Sequence, residues 1–597
     1  MRIIIIVFVA FAWVCSFSQT TQERLGIQFF ENNEYEKAEA IFKKIYQQNT
    51  PSIYVYEYYL NTLIALKKQR EAEKVVEYRI KKYPSDIALQ VDLGFVLDRF
   101  GETEKANRFF DKISKSSTEN IYEIKVLANG FQRRGYPEKA IELYQLGIKK
   151  HGHLPFYVEL IYVYRSTLKT KELADFSINL IQQEPSTYTY VNRSLITVFE
   201  EPEAVEHLRQ IILKIIQKKP DNVMLNELLL ECFIHQKKYA SAFKQVKYID
   251  RLSNAQGKRV LDLGDLCLQN HVFKEAIDAY YYIIDLGKNN PYYLDGQNGL
   301  IRALYQQISL SIQPDSSELS TLTLKIQELI NQEGLTYKTV SSIYHLAEIN
   351  LFYLKKPKET CILLKKIIET PRLQPGFVAK CKLLLGDASL VQGLEWEARL
   401  LYGQVEKQFK EDALGQEARF KSAKLSYYMG DFEWAQSQLD VLKMATTQLI
   451  SNNAMELSLL IQDNIGLDST NQALTDYAKA DFLLFQNKVN ACNEVLNLLP
   501  FKYPNHSLND EIYFLKARVQ EQLGDFQKAK SLYTVVYQKY PNDILADNAL
   551  FRAGVISIQI LKDQKEAKQL FEQLVFNYSG SLYVTEARKQ YLKLKNE

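Results

Sequence analysis

One alanine recurs through the first half of this 597-residue chain at a fixed interval, and that interval leaves few folds open. Ala38 lies in Glu34-Tyr35-Glu36-Lys37-Ala38, Ala72 in Arg70-Glu71-Ala72, Ala106 in Thr103-Glu104-Lys105-Ala106 and Ala140 in Pro137-Glu138-Lys139-Ala140. The step is 34 residues each time (72 − 38, 106 − 72, 140 − 106), and it runs on to Ala174, Leu208, Ala242 and Ala276. A fixed period of roughly 20–50 residues marks a repeat array, in which each unit buries its apolar face only against its neighbours.

A second pattern lies upstream of each alanine. Leu25-Gly26, Leu93-Gly94, Leu127-Ala128 and Leu263-Gly264 come first, then the large residues Phe29, Leu63, Leu97, Phe131 and Phe233. Asn32-Asn33, Gly101 or Gly135 then supplies a turn, and the alanine follows with Phe42, Val76, Phe110, Tyr144, Val246 or Tyr280 four residues on. The apolar spacing puts one stripe of each helix inward, so the unit reads as helix, short turn, helix. Gly or Ala on the first helix and Ala on the second let two axes approach closely. The aromatic four residues later is expected to fill the wedge between one hairpin and the next. Pro84, Pro220 and Pro541 stop second helices at equivalent points, with Pro185 one residue early.

These residues resemble the tetratricopeptide repeat, whose signature is Leu-Gly, Tyr or Phe, Ala, Phe, Ala and Pro. The resemblance implies an all-α, right-handed superhelical solenoid of antiparallel helix hairpins, about fourteen in two arrays. The expected division is an export signal over 1–18, about eight repeats over 19–287, an irregular helical junction over 288–338 and about six looser repeats over 339–597. In that last segment the period resumes at Thr360, Ala398, Ala435, Ala491, Ala529 and Ala567. The long step from Ala435 to Ala491 leaves room for one extra helix around 448–462, and a capping helix closes the chain. The C-terminal copies, Gly524-Asp525-Phe526-Gln527-Lys528-Ala529 with Tyr540-Pro541-Asn542-Asp543 and Ala549-Leu550-Phe551-Arg552-Ala553-Gly554, look like the tetratricopeptide modules of bacterial envelope proteins. The usage of Lys, Asn, Tyr and Ile resembles exported Bacteroidetes proteins.

The N-terminus agrees with export. Met1-Arg2 precedes an apolar run from Ile3 to Val14, and Ser16 and Ser18 are spaced for cleavage before Gln19. Cys15 offers the alternative of a lipid anchor, though Ala12-Trp13-Val14 is a poor lipobox. No later stretch approaches the ~20 apolar residues of a membrane span, so the mature chain is expected in the periplasm or associated with the outer membrane through a partner. Cys232, Cys267, Cys361, Cys381 and Cys492 are scattered and odd in number, which argues for buried thiols over a disulfide framework.

Chemistry is sparse. Lys plus Arg (74) against Asp plus Glu (71) gives a net charge of +3, so no nucleic-acid partner is implied. Phosphate-binding glycine loops, HExxH, GxSxG and calcium loops are all missing. His151-Gly152-His153 is the one close histidine pair, and it falls in an inter-repeat turn. The sequence therefore predicts no enzyme, no cofactor and no metal site.

What remains is surface. The resemblance implies that first helices line a groove, and its inward positions fall on Ile27, Phe30, Tyr54, Glu57, Asn61, Ile64, Val91, Phe95, Tyr122, Lys125, Asn129 and Phe156. Aromatics with scattered polar groups suit an extended peptide or a partner helix. In chaperone-binding relatives, Lys and Asn at the places of Lys125 and Asn129 help clamp a carboxylate, but Leu160, Tyr190 and Ser194 leave that clamp incomplete here. The expected role is a non-catalytic protein-interaction scaffold of the bacterial envelope, serving outer-membrane biogenesis, secretion or cell-wall assembly. Two alternatives stand beside it. One is carbohydrate or peptidoglycan binding through Tyr54 to Tyr59 and Tyr280 to Tyr282; the other is a regulatory subunit of a membrane-bound enzyme.

Overall fold

The computed structural model describes residues 21–48, 52–410, 412–444, 448–466, 471–504 and 506–596. Residues 1–18, expected to form an export signal, and with them Cys15, lie outside these. The described residues are helical throughout, with no strand, and divide into two compact units, Met1–Ser253 and Asn254–Glu597. The division falls one hairpin before residue 287, where the sequence period breaks.

In the first unit α1 (Thr21–Glu31) pairs with α2 (Tyr35–Gln48), α3 (Ile53–Ala65) with α4 (Gln69–Lys82), and α5 (Leu89–Arg99) with α6 (Thr103–Ser116). Next come α7 (Ile121–Arg133) with α8 (Pro137–His151) and α9 (Tyr157–Ser166) with α10 (Thr170–Gln183). The short α11 (Tyr188–Ser194) and α12 (Ile196–Phe199) precede α13 (Pro202–Ile216), and α14 (Val223–His235) pairs with α15 (Tyr239–Ser253).

The second unit opens with α16 (Lys258–Gln269) and α17 (Phe273–Asp285), then α18 (Tyr293–Ser309) and α19 (Ser316–Glu333). After α20 (Val340–Glu348), extended by a π turn over Ile349–Tyr353, come α21 (Pro357–Ile368), α22 (Pro375–Val391), α23 (Glu395–Gln408), α24 (Ala413–Tyr428) and α25 (Phe432–Leu442). A single helix, α26 (Gln448–Asn464), is followed by the pairs α27 (Gln472–Phe485) with α28 (Val489–Lys502) and α29 (Asn509–Leu523) with α30 (Phe526–Lys539). The last pair, α31 (Ala546–Gln559) with α32 (Gln564–Asn577), is covered by α33 (Val584–Asn596). Residues 288–338 thus hold two long helices, with α18 packed on α17 and α19 on α18.

Consecutive hairpins stack, and the first helices of neighbours touch: α1 with α3, α5 with α7, α22 with α24, α24 with α27. Within each unit these contacts set the touching first helices side by side, and the core runs between them and the second helices.

The contact that sets the hairpin angle is a missing side chain. A Cβ on Gly26, Gly94, Gly264, Gly386 or Gly554 would come within 2.7, 2.1, 3.1, 2.4 or 2.8 Å of the ring of Phe42, Phe110, Tyr280, Tyr402 or Phe571 respectively. The aromatic therefore lies on the first helix of its own hairpin, and also reaches the next one, as Phe110 does with Phe131 at 5.1 Å between ring centroids. The sequence pattern alone predicts it only in the inter-hairpin wedge. The absence of a glycine side chain is what admits it within the hairpin.

The turn adds a second constant. Asn33, Lys67, Gly101 and Gly135 all have left-handed backbones and stand five residues before Ala38, Ala72, Ala106 and Ala140 (38 − 33, and so on). The same offset relates Lys237 to Ala242, His271 to Ala276, Lys355 to Thr360, Gly393 to Ala398, Gly430 to Ala435, Gly524 to Ala529 and Lys562 to Ala567. A left-handed residue costs an ordinary side chain roughly 1 kcal/mol, so its regular return reports the geometry rather than composition.

This constant corrects two sequence assignments. Asn487 has the left-handed turn before α28, so the buried position is Cys492, which is fully buried, rather than Ala491, which is partly exposed. Leu168 has it before α10, so by the same offset Leu173 takes the turn-linked position and the repeat runs one residue short there, with Ala174 beside it buried as well.

A buried carboxyl group stands near the start of α29. Glu511 is 4% exposed, accepts from Asn464 Nδ2 at 2.9 Å and lies beside Asp510. Burial, then the Asp510 neighbour, push its carboxyl from about 4.5 up to about 9. The folded state therefore holds a proton that the unfolded chain has lost, and stability falls as pH rises from about 4.5 to about 9. Glu511→Gln keeps the amide acceptor without the charge. Its melting temperature should exceed the parent's by a few degrees at pH 8.5, about 2–4 °C per kcal/mol, with little difference at pH 5. Parallel melting curves for the two proteins across that range would contradict the buried, protonated carboxyl.

Candidate functional site: the first-helix faces

The structure sorts the groove residues of the first unit into three groups. Tyr54 (48%), Tyr122 (68%) and Asn129 are exposed, and Phe30, Glu57, Asn61, Ile64 and Lys125 are partly covered. Ile27, Val91, Phe95 and Phe156 are buried and offer nothing to a partner. Each correction has its own reason. Ile27 faces the seam with Ala38 and Phe42, and Val91 is packed with Ala106 and Phe110. The Arg99 and Arg134 guanidinium groups lie over Phe95 at 5.0 and 4.9 Å. Phe156 stands just before α9, in the repeat that is one residue short; a Cβ on Gly147 would lie 2.9 Å from its ring. Tyr162, 64% exposed, points outward from that helix, and the 34-residue step points past it.

Charge in this unit is largely self-satisfied. Asp92, with no exposed surface, accepts from Tyr56 Oη (2.6 Å), Arg134 Nε (2.6 Å) and Arg133 Nη2 (3.2 Å). Arg134 Nη2 also donates to Glu57 Oε1 at 3.0 Å. Burial first, then the Asp92 carboxylate, hold the Tyr56 phenol well above its usual range. The two arginines end α7, where the helix dipole favours cations. Lys125 donates to Glu159 Oε1 at 2.6 Å, so the lysine of the half-built clamp already has its carboxylate within the chain.

The tyrosine stretches do not form sugar-stacking platforms as runs. Tyr56, Tyr59 and Tyr280 turn into the core, because consecutive helical residues point in different directions. Tyr54 and Tyr58 pack edge to face at 5.1 Å, with Phe30 against Tyr58 at 5.2 Å.

The second unit holds a site that sequence reasoning does not find. A cavity of about 610 Å³ opens among α22, α24, α26 and α27, with the Tyr402 ring of α23 in its wall. Asp387 accepts from Tyr402 Oη (2.7 Å) and from Lys421 Nζ (2.8 Å). Lys424, one turn on, lies 5.5 Å from the centroid of the Tyr428 ring, which stacks on Phe482 at 5.0 Å. An adjoining cavity of about 240 Å³ shares Phe420, Lys424 and Asn453 and adds Glu456, Asp481 and Arg518. Arg518 Nη1 donates to Asp481 at 3.3 Å.

A sequence signal for part of this exists. Gly386 is followed by Asp387, with Tyr402 15 residues and Lys421 34 residues after that aspartate. Gly264-Asp265 is followed in the same way by Tyr280 at 15 and Arg302 at 37, with Tyr280 Oη and Arg302 Nη2 each donating to Asp265 at 2.7 Å. An acid directly after the packing glycine thus joins the aromatic of its own hairpin to a cation on the next first helix.

The remaining motifs are structural. His151 Nε2 lies 2.8 Å from the Thr118 carbonyl oxygen, and His153 packs against Phe176. Among the described residues no cluster of His, Cys, Asp and Glu is arranged to hold a metal, and no helix is long and apolar enough to cross a membrane. The five cysteines among the described residues are free thiols. Burial pushes those of Cys232, Cys267, Cys381 and Cys492 up to about 12, which makes them poor nucleophiles.

Residues 511–543 and 548–581 match the tetratricopeptide repeat family profile. These are the pairs α29–α30 and α31–α32. No curated relative matches the chain in sequence. Similar solved structures include the TPR domain of P58(IPK), at 13% identity over 72% of this chain and 98% of that one, with a TM-score of 0.19. Naa15/Naa10 bound to HypK-THB aligns at 12% identity over 90% and 95%, with a TM-score of 0.24. The APC/C hetero-tetramer Cut9–Hcn1 aligns at 12% over 91% and 98%, with a TM-score of 0.26. None superposes closely, and the helical-solenoid architecture rests on the hairpin packing itself.

Proposed function

We propose that this tetratricopeptide-type scaffold is exported to the bacterial envelope and holds a peptide or partner helix against the first-helix face of its N-terminal unit. There it serves outer-membrane biogenesis, secretion or cell-wall assembly without catalysing a reaction. The observation that carries the binding reading is the set of exposed aromatics on three of the first helices: Tyr54 on α3, Tyr122 on α7 and Tyr162 on α9. Large exposed aromatics on rigid elements are the usual anchors of an interface, and Tyr122 and Tyr162 are 68% and 64% exposed. The proposed envelope location is supported by the apolar run Ile3 to Val14 with Ser16 and Ser18 after it.

Two measurements test the two halves. A photo-crosslinking residue at Tyr122 or Asn129 should capture a discrete protein in living cells, and one at Lys112, on the exposed side of α6, should not. Equal capture at all three positions would remove the groove from the account. N-terminal sequencing of the mature chain should begin at Gln19; an intact Met1 in the cytoplasmic fraction would refute export.

A further inference from the structure

We propose that the 610 Å³ cavity of the C-terminal unit binds a carboxylate carried on an apolar stem, with the Lys424 ammonium as its counter-charge. The cavity lies within the range of small-ligand sites, roughly 300–1,000 Å³, and its walls are largely apolar: Leu390, Leu414, Phe420, Ile450 and Phe485. What distinguishes it from a packing defect is the charge pattern inside.

Lys421 and Lys424 stand one turn apart on the same helix and meet opposite electrostatic fates. Lys421 has Asp387 at 2.8 Å and Glu417 at 3.7 Å. Burial works against its charge, but those carboxylates more than offset it and keep the amine above its usual range. Lys424 has no carboxylate within ion-pair distance among the described residues, and burial leaves its amine below the usual range. The neighbouring anions are engaged elsewhere: Asp387 with Tyr402 and Lys421, Asp481 with Arg518. Glu456, across the adjoining cavity, is shifted by burial toward its neutral form. A partly buried cation facing a largely apolar cavity is costly unless an anion completes it. A carboxylate supplies that anion, and its apolar stem fills the space beside it.

Such a carboxylate comes either from a free acid or from the end of a peptide chain, and paired probes separate the two. Dodecanoate and a hexapeptide ending in phenylalanine with a free carboxylate would be titrated calorimetrically into the full chain. Dodecanol and the amidated hexapeptide serve as uncharged counterparts. At least one acid should bind, and more than tenfold more tightly than its counterpart. Lys424→Met should erase that tenfold preference, and Lys424→Arg should retain a preference for the acid over its counterpart, since the guanidinium keeps the positive charge. Ile450→Trp, which fills the apolar wall and leaves Lys424 in place, should abolish binding independently should Lys424→Met misfold. Which acid binds identifies the source. Absence of binding by both acids, equal affinity of acid and counterpart, or unchanged affinity in the Lys424→Met and Ile450→Trp proteins would each overturn the proposal. These results do not depend on the N-terminal face, so a failure here is distinct from failure of the scaffold reading.

Discussion

Asp92→Ala should destabilise the N-terminal unit by about 3–5 kcal/mol, the usual cost of breaking a buried ion pair by removing one partner. Asp92 has no exposed surface and collects Tyr56, Arg133 and Arg134, while the Arg134 side chain is itself only 5% exposed. Its removal leaves a buried guanidinium with Glu57 alone. Because Glu57 is 25% exposed, water screens its share, and Glu57→Ala should cost markedly less. Asp92→Asn, which keeps the shape and one acceptor, should fall between them. Denaturant unfolding of the intact chain measures all three. A loss below about 1 kcal/mol for Asp92→Ala would mean that the network is ornamental to folding.

The second large effect belongs to the glycine–aromatic contact. Phe110→Ala should cost about 3–5 kcal/mol, the range for a buried aromatic whose site cannot collapse. Phe110 is 1% exposed and touches Phe131 and Tyr136 as well as Gly94. Gly94→Ala tests the same contact from the other side. In a helix interior this exchange ordinarily stabilises by about 0.5–1 kcal/mol. Here the new Cβ would meet the Phe110 ring at 2.1 Å, so overpacking at about 1–3 kcal/mol decides the sign. The pair Gly94→Ala with Phe110→Leu should be less damaging than the two single losses added together. Strict additivity would show that the residues do not share a contact.

These two contacts differ in how much of each is legible along the chain. The glycine, the alanine and the aromatic of one hairpin sit within about 20 residues of one another, and their packing follows from side-chain size alone. The period of 34 residues locates them correctly through Ala140, and it slips only where the repeat shortens before α10. There Leu173 takes the place five residues after the turn while Ala174 stays buried beside it, and Phe156, expected on the surface, goes into the core. The left-handed turn five residues upstream would correct the register, but Lys67, Leu168 and Lys237 have side chains that give no hint of such a backbone.

Asp92 shows the other case. Nothing around it in the chain says that Arg133 and Arg134, 41 and 42 residues away, will close over it. The sequence pattern offers Val91 and Phe95 on either side as groove residues; Val91 packs into the core instead, and Arg99 and Arg134 cover Phe95. The C-terminal cavity is more distant still from local reading, since its wall spans from Lys380 to Phe485.

Hairpin architecture was legible because it depends on short-range size and spacing: a small residue, a turn and a large residue repeated until no other fold is consistent with them. The availability of a given surface residue depends on how successive hairpins rotate against one another. Small rotations accumulate from one contact to the next, so which charges meet, which aromatics stay in water and where a cavity is left open emerged only from the assembled helices.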